Sequence, residues 1–101
     1  MFDLSGRCFC GAVTWQGRGP PLWVALCICE HHRRAASSDY VSWFGVRRET
    51  VVWQGPRTCY RSSSKVTRNF RRCCGAPTSS ETEVFPDETH LHAVTLHHLA
   101  A

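Results

Sequence analysis

Short runs of apolar and β-branched residues recur along the chain, each followed by glycine, proline, serine or other polar residues. Runs of this length and composition are typical of β-strands, and the polar interruptions are typical of turns. The predicted strands cover residues 12–16, 22–26, 40–44, 51–54, 58–61, 66–70 and 89–96, with 66–70 returning as the hairpin partner of 58–61. Residues 33–39 predict a loop or one helical turn. The pattern as a whole predicts a small all-β domain.

The length of the chain bounds this domain. Its 101 residues suffice for a single domain over 1–101. The core of so small a domain is limited, and a metal ion or a disulfide would add stability. No apolar run approaches the roughly 18 residues of a membrane span, and no signal-peptide pattern is visible. We therefore expect a cytoplasmic protein with no membrane contact.

Cysteine content and charge narrow the chemistry. The chain has seven cysteines, an odd number that complete disulfide pairing would not use up. In a reducing compartment, such a set favours metal binding or catalysis over disulfides. The net charge of +4 fits an anionic small substrate or weak contact with nucleic acid, and it does not decide between them.

Residues 26–34 contain several candidate metal ligands close together in the chain. Cys27 and Cys29 are two residues apart, so in an extended segment their side chains leave the same face. His32 follows three residues later, where a turn can bring it back to the same point. Two thiolates and one imidazole with a free fourth position would suit a catalytic zinc ion. The alternatives are that both cysteines are small buried side chains, and that His31 rather than His32 is the metal ligand.

Further thiols lie in two other short segments. Cys8 and Cys10 repeat the same spacing and are followed by Gly11, which can form a turn. Cys73 and Cys74 are adjacent in a turn-like knuckle.

Several motifs resemble those of the glutathione-dependent formaldehyde-activating enzyme family, which includes centromere protein V. The matching segments are residues 6–13, 26–29, 33–35, 60–63, 74–77 and 85–88. They follow the family's order at about its spacing and span roughly residues 5–96. The resemblance implies a β-tent fold of short antiparallel sheets around one or two zinc ions. It also implies a carbon–sulfur lyase reaction that joins glutathione, the co-substrate, to formaldehyde and gives S-hydroxymethylglutathione.

The resemblance further implies two sets of zinc ligands. The catalytic set maps onto Cys27, Cys29 and His32, with histidine in place of a third cysteine. The structural set maps onto Cys8, Cys10 and Cys74, and Arg71 stands where the fourth cysteine is expected.

The two replacements of cysteine, by His32 and by Arg71, have different consequences for metal binding. Histidine replaces a cysteine ligand acceptably, whereas an arginine stays protonated and cannot coordinate. Cys73 is the candidate replacement for the missing ligand. The family's later C-terminal strand region is also missing, so the chain is interpreted as a divergent or shortened member.

The remaining charged and aromatic residues have less specific patterns. Arg33 and Arg34 are the candidate glutathione-binding pair, supported by the basic group Arg61, Lys65, Arg68, Arg71 and Arg72. Both sets would otherwise be solvated. His90 and His92 share one face of the last predicted strand, from which they could approach a metal, and we expect them to be solvated instead. We also expect Cys59 to be at least half-buried and His97 and His98 to be exposed. The four tryptophans should lie in the core: Trp15, Trp23, Trp43 and Trp53.

Three functional hypotheses remain open. The first is the enzyme, acting on a small thiol and an aldehyde. The second is a non-enzymatic zinc module that contacts nucleic acid or a protein partner, and the third is a degenerate, inactive domain. Nucleic acid is an improbable partner because the chain has no long basic tail. The sequence does not predict an oligomeric state.

Overall fold

The computed structural model describes residues 4–97, and most of these residues form short strands. The strands are β1 (Leu4–Arg7), β2 (Thr14–Gly17), β3 (Trp23–Cys27), β4 (Val41–Arg47), β5 (Val52–Gln54), β6 (Thr58–Arg61), β7 (Val66–Phe70), β8 (Pro77–Thr82) and β9 (Glu88–His92). One α-helix, α1 (Glu30–Ala36), and two 3₁₀ helices, Arg48–Thr50 and Ala93–Thr95, complete the elements. None of the described helices is long and apolar enough to cross a membrane.

The strands form two antiparallel sheets. The smaller sheet has the order β1-β2-β5, and the larger has the order β3-β4-β9-β8-β7-β6. The predicted hairpin is confirmed, since β6 and β7 pair with Thr58 opposite Phe70. The small all-β class of antiparallel sheets is confirmed with it.

The core lies between the two sheets. Trp15 of the smaller sheet packs against Phe44 of the larger, with ring centroids 5.8 Å apart. Val46 and Leu91 are buried in the same cluster. The indole Nε1 of Trp15 donates a hydrogen bond to Thr95 Oγ1 at 3.0 Å, which satisfies the polar atom of a fully buried ring.

Successive side chains of a strand point to opposite faces, and β4 uses both of its faces. Phe44 and Val46 face the core, so Trp43 projects from the opposite face of the larger sheet. In the register between β4 and β9, Trp43 lies opposite His92. Their rings stack with centroids 4.1 Å apart. We call this side of the larger sheet its second face.

Two strands were missed by the sequence pattern. Strand β8 is rich in serine and threonine, yet Thr78 and Ser79 are buried. Their hydroxyl groups are satisfied by Asn69, whose side chain donates to Ser79 Oγ at 2.9 Å. Strand β1 contains Gly6, where a Cβ atom would collide with the indole of Trp15. Close packing and polar pairing, rather than alternation of apolar residues, therefore define these strands.

The predicted bounds also shift at several elements, and β4 continues to Arg47 rather than ending at residue 44. The helix α1 begins at Glu30, before the predicted turn at 33–39, and β9 ends at His92 rather than at residue 96. The four tryptophans divide into two groups. Trp15 and Trp43 are buried, and Trp23 and Trp53 are half-buried.

Candidate metal centres

The first cluster consists of Cys8, Cys10 and Cys74. Their sulfur atoms all lie within 4.8 Å of one another, and those of Cys8 and Cys10 are 3.7 Å apart. Cys8 and Cys10 belong to the turn between β1 and β2, which Gly11 closes with a positive φ of 82°. This backbone angle favours glycine over any residue with a side chain.

Cys74 reaches the first cluster from a second turn, between β7 and β8. The backbone N–H of Gly75 donates to the carbonyl of Arg71 at 2.6 Å, and that of Arg71 donates to the carbonyl of Ala76 at 3.0 Å. These bonds fold residues 71–76 into a tight knuckle. Cys73, in the same knuckle, is exposed and lies outside the group of three sulfur atoms.

Arg71 lies beside the first cluster. The sulfur of Cys10 raises the pKa of Arg71, and Nη1 of Arg71 donates to the carbonyl of Pro56 at 3.3 Å. The pKa of Cys10 is lowered to about 7, first by the backbone N–H of Ala12 and then by its neighbours Cys8, Arg71 and Cys74. A guanidinium stabilises a thiolate here and cannot itself bind a metal.

The first cluster does not fit a closed structural zinc site. Such a site has four protein ligands, and within residues 4–97 this group supplies three. Three thiols with an adjacent positive charge form an incomplete set.

The second cluster consists of Cys27, Cys29 and His32, whose donor atoms also lie within 4.8 Å of one another. The sulfur of Cys27 lies 3.0 Å from Nδ1 of His32. Cys27 ends β3, and Cys29 is the extended N-cap residue of α1. His32 stands in the first turn of the helix. The change from strand to helix therefore brings the imidazole back towards both thiols.

Local interactions within residues 30–37 stabilise helix α1 and set its length. The carboxylate of Glu30 and the guanidinium of Arg34 form an exposed i,i+4 ion pair at 2.8 Å. The helix ends at Ser37, a non-glycine residue with a positive φ of 51°, whose N–H donates to the carbonyl of Arg34. This C-cap limits α1 to two turns, so His32 stays close to the end of β3.

The second cluster lies against the second face of the larger sheet. The ring of His32 contacts Trp43 edge-on, at 5.2 Å between centroids. The pKa of His32 is lowered by burial and then by the positive charge of Arg68. Burial raises the pKa of Cys27, whereas the backbone N–H of His32 lowers that of Cys29. A neutral imidazole beside one acidified thiol is the protonation state that a metal site needs.

These residues fit a metal with one open position. The donor set is two thiols and one imidazole, and within the described chain no fourth side chain belongs to the group. Zinc sites with three protein ligands and an open position are typical of catalysis.

A cavity of about 190 Å³ lies between α1 and the second face. Ala35 of the helix lines it on one side, and His92 lines it on the other. Its remaining wall comes from β6, β7, β8 and the knuckle before β8, and it includes Tyr60, Arg68, Asn69, Phe70, Gly75, Pro77 and Ser79.

The model of the glutathione-dependent formaldehyde-activating enzyme family matches residues 3–101. The chain belongs to this family. A crystal structure of a Rhodobacter sphaeroides protein has the same fold, with a TM-score of 0.78 over 95% of this chain and 90% of that chain. The two sequences are 22% identical, so this likeness concerns the fold alone. Among curated proteins, none matches the chain.

The structure places the other predicted residues of this family member less centrally. Arg33 and Arg34 are exposed on α1, where they line a shallow surface depression with Ser37, Ser38 and Asp39. His31 is exposed and is not part of the second cluster.

Two predictions about burial are wrong. His92 is not solvated, because its ring stacks on Trp43 and only 7% of the residue is exposed. Its neighbour His90 is half-buried and bonds the carboxylate of Glu88 at 3.0 Å. Cys59 is exposed rather than buried, since β6 is an edge strand. His97 is exposed, as predicted, and His98 lies outside the described residues.

The sequence placed Arg68 only within a larger basic group, favoured a solvated His92 and assigned Trp43 to the core, so none of the three was predicted beside the second cluster. All three come from strands distant in sequence from the Cys27–His32 segment. The alternation of side chains in β9 did place His90 and His92 on one face, and this was the pattern from which a role of His92 near the site could have been predicted.

Proposed function

We propose that this protein joins glutathione, or a related small thiol, to formaldehyde in a reversible carbon–sulfur lyase-type reaction. The observation that carries the proposal is the three-ligand group of Cys27, Cys29 and His32 in a chain that belongs to this family. The family match does not favour the alternative of a non-enzymatic binding module.

Cys27, Cys29 and His32 would hold a zinc ion. When bound, zinc supplies a Lewis acid that lowers the pKa of a coordinated thiol, so that thiolate is present at neutral pH. In the reaction, the sulfur of the substrate forms a bond to the aldehyde carbon. The thiol proton ends on the former carbonyl oxygen, so the adduct has the composition of the two reactants together.

The protein's own residues prepare this site. Burial, followed by the charge of Arg68, keeps the pKa of His32 low and leaves its ring neutral as a ligand. Trp43 packs on that ring and restricts its orientation. We further propose a cytoplasmic location, where the free cysteines would stay reduced.

The test is the exchange rate between glutathione, formaldehyde and their adduct, measured by NMR exchange spectroscopy. Zinc-loaded protein should accelerate exchange above the spontaneous rate, and Cys27→Ser should remove the acceleration. Cys59→Ser is the matched control, because Cys59 is exposed on β6 outside both clusters. An exchange rate equal to the spontaneous one, in zinc-loaded wild-type protein, would reject the enzyme.

A further inference from the structure

Strand β7 carries a buried positive charge. Arg68 is only 8% exposed, and its Nε donates to Ser62 Oγ at 2.9 Å. Within residues 4–97, no carboxylate forms an ion pair with its guanidinium, and no protein acceptor binds its two terminal nitrogens. An arginine stays charged, so the fold keeps a largely desolvated cation without a counter-charge.

The strand register places this cation in the wall of the cavity between α1 and the second face. Arg68 lies opposite Tyr60 of β6 and opposite Ser80 of β8, which in turn lies opposite His90. Because side chains alternate, Arg68 therefore shares a sheet face with His92, two residues further along β9. Both residues line the cavity of about 190 Å³.

The charge of Arg68 also acts on the second cluster. Burial is the largest cause of the lowered pKa of His32, and the charge of Arg68 is the second largest. The same two causes, in the same order, lower the pKa of His92 to about 4. The charge of Arg68 contributes to the lowered pKa of Cys29 as well, behind the backbone N–H of His32. Geometry connects the two sites: His92, in the cavity wall with Arg68, stacks on Trp43, and Trp43 contacts the ring of His32.

We propose that the cavity is an anion subsite in which the terminal nitrogens of Arg68 bind a carboxylate of the thiol substrate. The fork of an arginine matches a carboxylate with two parallel hydrogen bonds, and the bound anion supplies the missing counter-charge. The aromatic rings of Tyr60 and Phe70, which pack edge to face at 5.8 Å, form an apolar side of the same cavity. Arg68 would then be the residue that selects a thiol with a carboxylate over a neutral thiol.

The inference relies on the proposed function only for the thiol, so binding is tested without the reaction. S-methylglutathione keeps both carboxylates and has no free thiol. Isothermal titration calorimetry measures the affinity of the zinc-loaded protein for S-methylglutathione and for its diethyl ester. The ester should bind at least about tenfold more weakly than the acid, because its charge-assisted hydrogen bonds are lost. Equal affinity for acid and ester would overturn the proposal without any variant.

Variants then assign the carboxylate to Arg68. Arg68→Gln should weaken binding of S-methylglutathione about tenfold or more and leave the affinity for the ester unchanged. Arg47→Gln removes the same charge at the exposed end of β4 and should leave both affinities unchanged. If Arg68→Gln does not fold, Arg68→Lys keeps the charge, loses the planar fork and should still weaken binding. Wild-type affinity in a folded Arg68 variant would overturn the proposal.

Two further outcomes are distinct. Inorganic phosphate that competes at the same concentration as S-methylglutathione would indicate a general anion site and overturn the assignment to carboxylates. Binding that depends on Arg68 without any accelerated exchange would reject the proposed function and leave the subsite in place. Accelerated exchange together with binding that is independent of Arg68 would support the proposed function and reject the anion subsite.

Discussion

Cys8, Cys10 and Cys74 form a three-donor cluster with Arg71 beside it, whereas Cys27, Cys29 and His32 form one against Trp43 on the second face of the larger sheet. Both clusters begin with the same Cys-x-Cys spacing, so the motif alone does not distinguish them. The difference comes from the element that follows each pair. A glycine turn and a knuckle follow the first, and a two-turn helix packed on a sheet follows the second.

The comparison shows that the neighbours of a cysteine pair decide its chemistry. Arg71 in the first cluster contributes to the lowered pKa of Cys10 and so favours the thiolate form of that side chain. In the second cluster, the positive charge that lowers the pKa of His32 belongs to Arg68, which lines the cavity. The first cluster is therefore suited to holding turns together and the second to binding a substrate.

The largest expected effect separates the clusters by metal binding. Cys27→Ala should abolish metal binding at the second cluster, since only three side chains hold the ion there. In the cobalt-substituted protein, the thiolate-to-metal charge-transfer absorbance should fall, while thermal unfolding of the metal-free protein should change little. Cys59→Ala should leave the absorbance at its wild-type value. An unchanged spectrum in Cys27→Ala would place the metal elsewhere.

A second prediction concerns the buried ring behind the second cluster. The pKa of His92 falls to about 4 from an ordinary value of 6.5, because burial and then the charge of Arg68 oppose protonation. As the pH falls below 6.5, the unfolded chain binds this proton first. The free energy of unfolding should therefore decrease between about pH 6.5 and pH 4, by up to about 3 kcal/mol for this group.

Urea unfolding of reduced, metal-free protein across this pH range measures the effect. His92→Phe keeps a ring against Trp43 and removes the titrating group, so its stability should fall less over the same interval. Parallel curves for the two proteins would show that His92 is not the group responsible.

The smallest expected effect concerns the first cluster. Arg71→Cys would supply the missing fourth thiolate, and metal-binding free energy at a structural site is also folding free energy. With zinc present, the melting temperature should rise by several degrees, since about 1 kcal/mol corresponds to roughly 4–8 °C in a domain of this size.

Arg71→Ala is the control, because it removes the charge without adding a ligand. If Arg71→Cys melts no higher than Arg71→Ala in zinc, the first cluster is either already complete or not a metal site. That result would remove the contrast between the two clusters.

The sequence predicted the parts of the molecule that depend on local pattern. The hairpin of β6 and β7 was located to the residue, because an alternating run and a serine turn define it. Each cysteine pair was recognised from its spacing. Strand β8 was not, because its buried hydroxyl groups are stabilised by Asn69 from a neighbouring strand. No local pattern reveals such pairing.

The same limit applied to the candidate site. Cys27, Cys29 and His32 lie within six residues of the chain, so their proximity could be predicted from spacing. Arg68 and His92 join them only through the order of six strands in one sheet. Their burial depends on that order, and it was predicted wrongly for His92.

Strand β4 also determines which changes of chain length the protein can tolerate. It places Phe44 in the core and Trp43 beside His32 of the second cluster, with a single peptide bond between them. Deleting one residue within the strand would exchange these two faces and damage the core and the site together. The exposed loop that precedes β4, around Ser38 and Asp39, has no such constraint. Insertions and deletions during the divergence of this chain are therefore expected in that loop and excluded from β4.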